Sequence, residues 1–219
     1  GSNNTADTVA LSVAAEKLGV DGLLLVTPYY NKPSQRGLYA HYKAVNDAVS
    51  TPIILYNVPG RTSVDLFPET VIELAKLDNV KALKEASGHP ERCGQILAQV
   101  PADFKVYSGN DNEIFAFMEQ GGHGVISVLS NIAPRATHDI VARYLSGDVD
   151  GARALQAQYD DLIADIFIET NPVPVKEALN LMGFQAGTFR LPLVELSPEN
   201  RAKLTETLTR YGLLAGDEK

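Results

Sequence analysis

Residues 53–88 read IILYNVPGRTSVDLFPETVIELAKLDNVKALKEASG. The stretch opens on a short apolar run, Ile53-Ile54-Leu55-Tyr56. It closes on another, Val80 to Leu83, followed by Lys84-Glu85-Ala86-Ser87-Gly88. Between them, Pro68 to Leu77 carries apolar residues at helical spacing. Proline sits near the start of that segment and an acid in its first turn, as a helix N-terminus favours. Strand, helix, strand is a βαβ unit. Near-continuous apolar strands signal burial on both faces beneath layers of helices.

The same alternation extends in both directions. Upstream, Asp7 to Leu18 reads as a helix, with Thr5 as its N-cap and Gly19 as its stop. Gly22 to Val26 reads as a strand and Leu38 to Val49 as a helix. Downstream, Glu91 to Val100 is helical, Phe104 to Tyr107 a strand, Glu113 to Glu119 a helix and Gly124 to Val128 a strand. Five strands thus alternate with five helices at the spacing of a βα repeat. A doubly wound open sheet and part of a barrel both fit. No glycine-rich phosphate fingerprint follows any strand, which weakens a dinucleotide-binding sheet. After Asn131 the pattern turns helical, over Ala136–Leu145, Asp150–Ile168, Val175–Met182 and Pro198–Tyr211. Only Arg190–Leu193 reads as extended. The expected division is therefore 1–147, the βα units, and 148–219, a helical C-terminal region, with the boundary near Gly147.

Composition excludes several function classes. The chain has 219 residues, 45% hydrophobic and 21% charged, as in ordinary soluble domains. A net charge of −8 argues against nucleic acid as a main partner, because phosphate binding needs a basic surface. A small anionic substrate needs only a few local cations. No apolar run approaches the roughly 18 residues of a membrane helix, and the opening Gly1-Ser2-Asn3-Asn4-Thr5 lacks a secretory pattern. The single cysteine, Cys93, makes no internal disulfide and no zinc site alone; it reads as a small helix residue. The cytoplasm is the expected compartment.

In parallel α/β folds the reactive groups lie at the C-terminal ends of strands. Those ends are Thr27-Pro28-Tyr29-Tyr30-Asn31-Lys32-Pro33, Tyr56-Asn57-Val58-Pro59-Gly60-Arg61-Thr62, Lys84-Glu85-Ala86-Ser87-Gly88, Ser108-Gly109-Asn110-Asp111 and Ser127-Val128. Lys84 reads two ways. It is either a rim lysine paired with an acid such as Glu85, or an amine whose pKa burial lowers, leaving the neutral form that attacks a carbonyl. Tyr56 ends the preceding strand and offers a phenol to shuttle protons; alone it reads as a packed ring. Arg61 can hold a carboxylate in a bidentate fork or make a loop salt bridge.

These segments, together with Gly121-Gly122-His123-Gly124-Val125-Ile126-Ser127, Asn171-Pro172-Val173-Pro174-Val175-Lys176 and Arg190-Leu191-Pro192-Leu193, resemble the dihydrodipicolinate synthases. That family belongs to the pyruvate-dependent class I aldolases, and the similarity runs over nearly the whole chain. The resemblance implies a (β/α)8 TIM barrel and condensation of pyruvate with aspartate 4-semialdehyde in lysine (diaminopimelate) biosynthesis. It implies no metal and no cofactor beyond a covalent imine with pyruvate on Lys84. By the same resemblance, Tyr56 relays protons, and Tyr30 completes the relay across a subunit interface. Arg61 receives the semialdehyde, and Gly109, Asn110 and Ile126 line the pyruvate pocket. His123 and Lys176 match positions read as structural. A homo-oligomer, a tetramer built as a dimer of dimers, is expected. Asn3, Asp7 and Tyr29 match an inhibitory lysine site; the other reading makes Asn3 a helix cap and Asp7 a dipole partner.

One departure stands out. Family members begin with roughly 75–80 further residues, on the scale of an eight-stranded barrel of about 250 residues. Those residues carry a threonine of the tyrosine relay. The expectation is therefore an incomplete barrel, about its last five strands, in a fragment or a natural truncation whose own activity the missing threonine leaves open. Other readings are another pyruvate aldolase, such as an N-acetylneuraminate lyase or sugar keto-acid enzyme, and a non-catalytic binding or assembly subunit.

Overall fold

A computed structural model describes residues 1–214. They form two units, Gly1–Ile126 and the residues from Ser127 onward.

The first unit is built on four parallel strands, β1 (Leu23–Val26), β2 (Ile53–Asn57), β3 (Val80–Glu85) and β4 (Lys105–Ser108), side by side in chain order. Among these four no strand order reverses, so they contain no switch point; parallel strands in chain order are the order a barrel wall requires. Helix α1 (Thr5–Lys17) precedes β1; α2 (Gln35–Asn46), α3 (Pro59–Thr62), α4 (Pro68–Leu74) and α5 (Glu91–Leu97) lie between the strands; α6 (Ile114–Glu119) follows β4. Alternate strand residues (Leu25, Ile53, Leu55, Leu83, Val106) are buried in one core with Leu38 and Tyr42 of α2, Leu74 of α4 and Ile96 of α5. Two-sided burial holds only in part. On the other face Leu24 is 42% exposed, and burial alternates along β1 and β2.

Several expectations change at the ends of elements. The N-cap of α1 is Asn4, neither Thr5 nor Asn3. The Asn4 side chain accepts from the amides of Ala6 (2.9 Å) and Asp7 (3.4 Å). The Thr5 hydroxyl instead meets His41 Nδ1 at 2.9 Å. The fifth run, Gly124–Val128, pairs with β4 only at the bridge Ser108–Val125. Gly121 and Gly124 take positive φ (85° and 137°), and the imidazole of His123 accepts the Val106 amide at 3.3 Å. A side chain thus takes the backbone donor that a longer fifth strand would use.

The second unit is helical among its described residues: α7 (Pro134–Leu145), α8 (Val149–Gln158), α9 (Asp160–Asp165), α10 (Val173–Leu181) and α11 (Pro198–Arg210). The stretch expected as one helix over Asp150–Ile168 breaks at Tyr159. Arg190–Leu193 closes a turn, with the Leu193 amide donating to the Arg190 carbonyl at 3.0 Å, and is not a strand. The division falls after Ile126 rather than near Gly147, because α7 packs on α8 and on the short turn Leu129–Asn131. Leu129, Ile132, Leu162, Ile166, Leu204 and Leu208 form the centre of this unit's core.

Candidate active site

The residues at the ends of the strands fall into two rows. Val26, Tyr56, Lys84 and Tyr107 are successive lateral partners across β1 to β4. Lateral partners share a face of the sheet, and this row lies on the face away from the helix core. Lys84 Nζ stands 4.4 Å from the centroid of the Tyr56 ring, within cation–π range. Lys84 is half-buried. Burial lowers its pKa, the Asp111 carboxylate opposes that, and the positive charge of Arg61 adds to the lowering. Burial raises the Tyr56 phenol pKa, with Arg61 opposing. An amine eased toward its neutral form thus sits beside a phenol held in its protonated form. That combination suits nucleophilic attack on a carbonyl with proton transfer alongside.

Gly109 makes room for this arrangement. A Cβ built there would lie 2.8 Å from Ala86 Cβ, 3.1 Å from Lys84 Cε and 3.2 Å from Lys84 Cγ. The lysine stem therefore runs along the glycine's bare backbone, and Asp111, in the turn that follows, is buried.

One residue further along, the strands present Thr27, Asn57, Glu85 and Ser108, all fully buried. The Asn57 amide donates to both oxygens of Glu85 at 3.2 Å and to Asp65 Oδ1 at 2.9 Å. The Ser87 amide donates to Glu85 Oε1 at 2.7 Å. Asp65 takes a two-pronged contact from Arg92 at 2.8 and 3.0 Å. Burial pushes the Glu85 carboxyl up, against the pull of its donors. For Asp65 the burial effect is outweighed by Arg92 and Asn57, and its pKa falls. Glu85 therefore does not pair with Lys84 across the rim. It belongs to the opposite face, as strand alternation dictates.

The other expected site residues are placed as follows. Arg61 lies in the single turn α3, an element read from sequence as a loop. The Asn110 side chain donates to Glu113 at 2.9 Å and holds the turn after β4. The Ile126 amide donates to the Ser108 carbonyl at 2.9 Å beside the isolated bridge. Tyr30 is 86% exposed. It stands at φ 74° while the Asn31 amide donates to the Tyr29 carbonyl at 2.9 Å, a strained γ-turn. Among the described residues no hydrogen bond or ring contact joins Tyr30 to Lys84 or Tyr56. The Asn31 side chain donates to the Asn3 carbonyl at 2.9 Å, which brings the loop of Tyr29 to the start of α1, where Asp7 lies. The Lys176 ammonium donates to the Thr188 carbonyl and lies 5.4 Å from the Phe189 ring centroid, a packing role. Sequence reading did not single out Tyr107 or the pair Asp65–Arg92. For Tyr107 the signal was available, since it ends its strand as Tyr56 ends β2. No cluster of three or more His, Cys, Asp or Glu suited to a metal occurs among the described residues.

Residues 1–211 match the dihydrodipicolinate synthetase family. A protein of Caldicellulosiruptor bescii named 4-hydroxy-tetrahydrodipicolinate synthase is 53% identical over 213 residues, 97% of this chain and 72% of that protein. Among solved structures, dihydrodipicolinate synthase from Thermotoga maritima superposes with a TM-score of 0.95 at 44% identity, covering 98% of this chain and 74% of that one. The enzyme from Cyanidioschyzon merolae, solved with lysine bound, superposes with a TM-score of 0.95 at 38% identity, covering 98% and 73%. Identity at this level across almost the whole chain, on a parallel sheet with a lysine and a tyrosine at adjoining strand ends, places the protein in the dihydrodipicolinate synthetase family.

Proposed function

We propose that the chain works as a Schiff-base lyase, condensing pyruvate with aspartate 4-semialdehyde on the diaminopimelate route to lysine. The observation that carries this is the Lys84 amine 4.4 Å over the Tyr56 ring at adjoining strand ends. Neutral Lys84 attacks the keto carbon of pyruvate, and the carbinolamine loses water to give the imine. Tyr56 supplies and recovers the proton, with Tyr30 of a neighbouring subunit extending the relay. The phenoxide left on Tyr56 takes a methyl proton to give an enamine, whose carbon attacks the aldehyde while Tyr56 returns that proton to the aldehyde oxygen; the semialdehyde's own amino group then displaces the Lys84 amine as the ring closes. Arg61 holds the carboxylate of that second substrate, while Gly109, Asn110 and Ile126 line the pyruvate pocket. The covalent carrier is Lys84 itself, and the scheme uses no metal. Borohydride reduction in the presence of pyruvate, followed by peptide mapping, is expected to place the adduct on Lys84. An adduct on another residue, or one that persists in Lys84→Ala, sinks the assignment.

The same reading takes the four-stranded sheet as part of a (β/α)8 barrel wall in a cytoplasmic enzyme that assembles as a tetramer of two tight dimers. The exposed, strained Tyr30 supports an intersubunit role for its loop. Sedimentation showing a fully active monomer would end it. Asn3, Asp7 and Tyr29 form the proposed inhibitory lysine site. Calorimetric titration with L-lysine, pyruvate present, tests it; no heat up to millimolar lysine leaves these residues as helix-start and loop residues only.

A further inference from the structure

We propose that the Asp65–Arg92 pair, tied through Asn57 to the ends of β2 and β3, is a positioning device for Arg61 and so for the second substrate. The inference rests on the reading of Arg61 as the carboxylate-binding residue. Arg61 stands on α3, a helix of four residues with no side-chain cap. One turn cannot hold itself in water, because helix nucleation costs more than a single turn returns. The turn ends at Ser63, whose φ is 59°. A non-glycine residue persists in that region only where its surroundings over-determine it. Within the turn the buried Thr62 hydroxyl lies 3.2 and 2.9 Å from the Val58 and Val64 carbonyls and accepts from the Thr27 hydroxyl at 3.3 Å; the remaining ties, which fix where the turn leads, lie immediately downstream. The Leu66 amide donates to Asn57 Oδ1 at 3.0 Å, and the Gln35 side chain donates to the Asp65 carbonyl at 2.8 Å. The Asp65 carboxylate receives Asn57 and both prongs of Arg92.

The pair is not a surface ornament. Its side chains are only 18% (Arg92) and 26% (Asp65) exposed. Behind it Asn57 and Glu85 are fully buried, and buried polar groups are costly unless hydrogen-bonded. An apolar row here would commonly be as stable or more so. What the polar row adds is direction. Asn57 and Glu85, lateral partners one residue beyond Tyr56 and Lys84, hold the strand ends to each other without Arg92, while among the described residues the Arg92 guanidinium hydrogen-bonds only to Asp65 and so holds the segment that carries Arg61.

The test uses the full chain. In Arg92→Met, the amides of residues 62–66 exchange hydrogen at least tenfold faster than in the parent, while those of β2 and β3 are unchanged. The KM for aspartate 4-semialdehyde rises about tenfold or more, the scale on which small misplacements act. The KM for pyruvate and the yield of borohydride trapping stay within about twofold of the parent. Arg92→Lys recovers part of the loss. In an Arg61→Ala background, Arg92→Met adds nothing further to the semialdehyde KM. If Arg61→Ala itself raises both KM values alike, the Arg61 reading fails. If Arg61→Ala separates the substrates but Arg92→Met adds its full effect on top, or leaves exchange at residues 62–66 unchanged, the positioning inference is overturned and Arg61 stands. Should Arg92→Met not fold, Asp65→Asn keeps the shape, an acceptor for Asn57 and one prong to Arg92. The same exchange signature is expected from it at smaller size, and unchanged exchange there overturns the proposal equally.

Discussion

Replacing Gly109 with alanine is the sharpest test of the site. The new methyl would stand 2.8 Å from Ala86 Cβ and 3.1 Å from Lys84 Cε. Carbon pairs settle at about 3.5–4.0 Å, so relief needs ~0.7 Å at Ala86 and ~0.4 Å at Lys84 at the least. Ala86 has no rotamer to change, and its amide is fixed to the Asn57 carbonyl at 2.9 Å. The Ala86 contact is therefore relieved only by backbone movement at residue 86 or 109, and the flexible lysine stem swings aside from the methyl, so that its amine leaves the face of Tyr56. Overpacking of this kind costs about 1–3 kcal/mol of stability. Displacement of the nucleophile is expected to slow pyruvate capture by up to about a hundredfold, since an ångström of misplacement can cost that much. The assay is the rate of borohydride-trapped adduct formation on Lys84, with the urea midpoint measured alongside. Capture at the parent rate in a folded Gly109→Ala protein would refute the claim that this glycine exists to seat the lysine.

Four further outcomes follow from the geometry. Capture of pyruvate should rise with pH and level off below the ordinary lysine value of about 10.4, because burial depresses the pKa of Lys84; a rate still climbing at that pH removes the argument. Lys84→Arg should form no adduct, since guanidinium stays protonated. Tyr56→Phe keeps the ring under the amine and loses only the phenol, so kcat should fall by about 10²–10⁴ with the urea midpoint little changed; a kcat near that of the parent rules Tyr56 out of the proton relay. Glu16 Oε1 accepts from the amides and hydroxyls of both Ser50 and Thr51 at 2.7–2.9 Å. Those bonds, led by the Ser50 amide, lower its pKa from 4.5 to about 2. A depressed carboxyl stabilises the fold above its unfolded pKa and loses that contribution as pH falls through the folded one. The stability gap between parent and Glu16→Gln should therefore close between pH 4.5 and about 2, as read from urea melts; a gap independent of pH would count against it.

Much of the fold was legible in one dimension, and the exceptions have identifiable causes. Apolar runs located β1 to β4, and helical spacing located the helices, because burial imposes periods of two and 3.6 on any sequence that folds this way. The fifth strand was over-read: Gly124 to Val128 is apolar enough, but glycine conformations and the His123 side chain leave it one bridge. Tyr159 divides a stretch whose periodicity runs on through it, since a local backbone change leaves the apolar spacing intact. The cap of α1 was misread by one residue because Asn4 and Thr5 are both good caps, and the Thr5 hydroxyl is claimed by His41, far away in sequence.

The site divides in the same manner. From sequence alone, Lys84 and Tyr56 end neighbouring strands, Arg61 follows within a short loop, and the motifs point to a family. Sequence could not fix which residues stand side by side. The pairing of β2 with β3 is irregular: Ile53 lies opposite Val80, but Ile54 lies opposite Ala82, skipping Lys81. Carried on without that irregularity, the register would set Tyr56 beside Leu83; with it, Tyr56 meets Lys84. A one-residue change of register swaps the faces of a strand, so this slip decides whether the phenol and the amine share a face at all. It also places Asn57 beside Glu85 on the helix side, within reach of Asp65 and Arg92. Register is set by hydrogen bonds and packing between segments about thirty residues apart in a βαβ unit. No local pattern encodes it, and only the tertiary structure decides it.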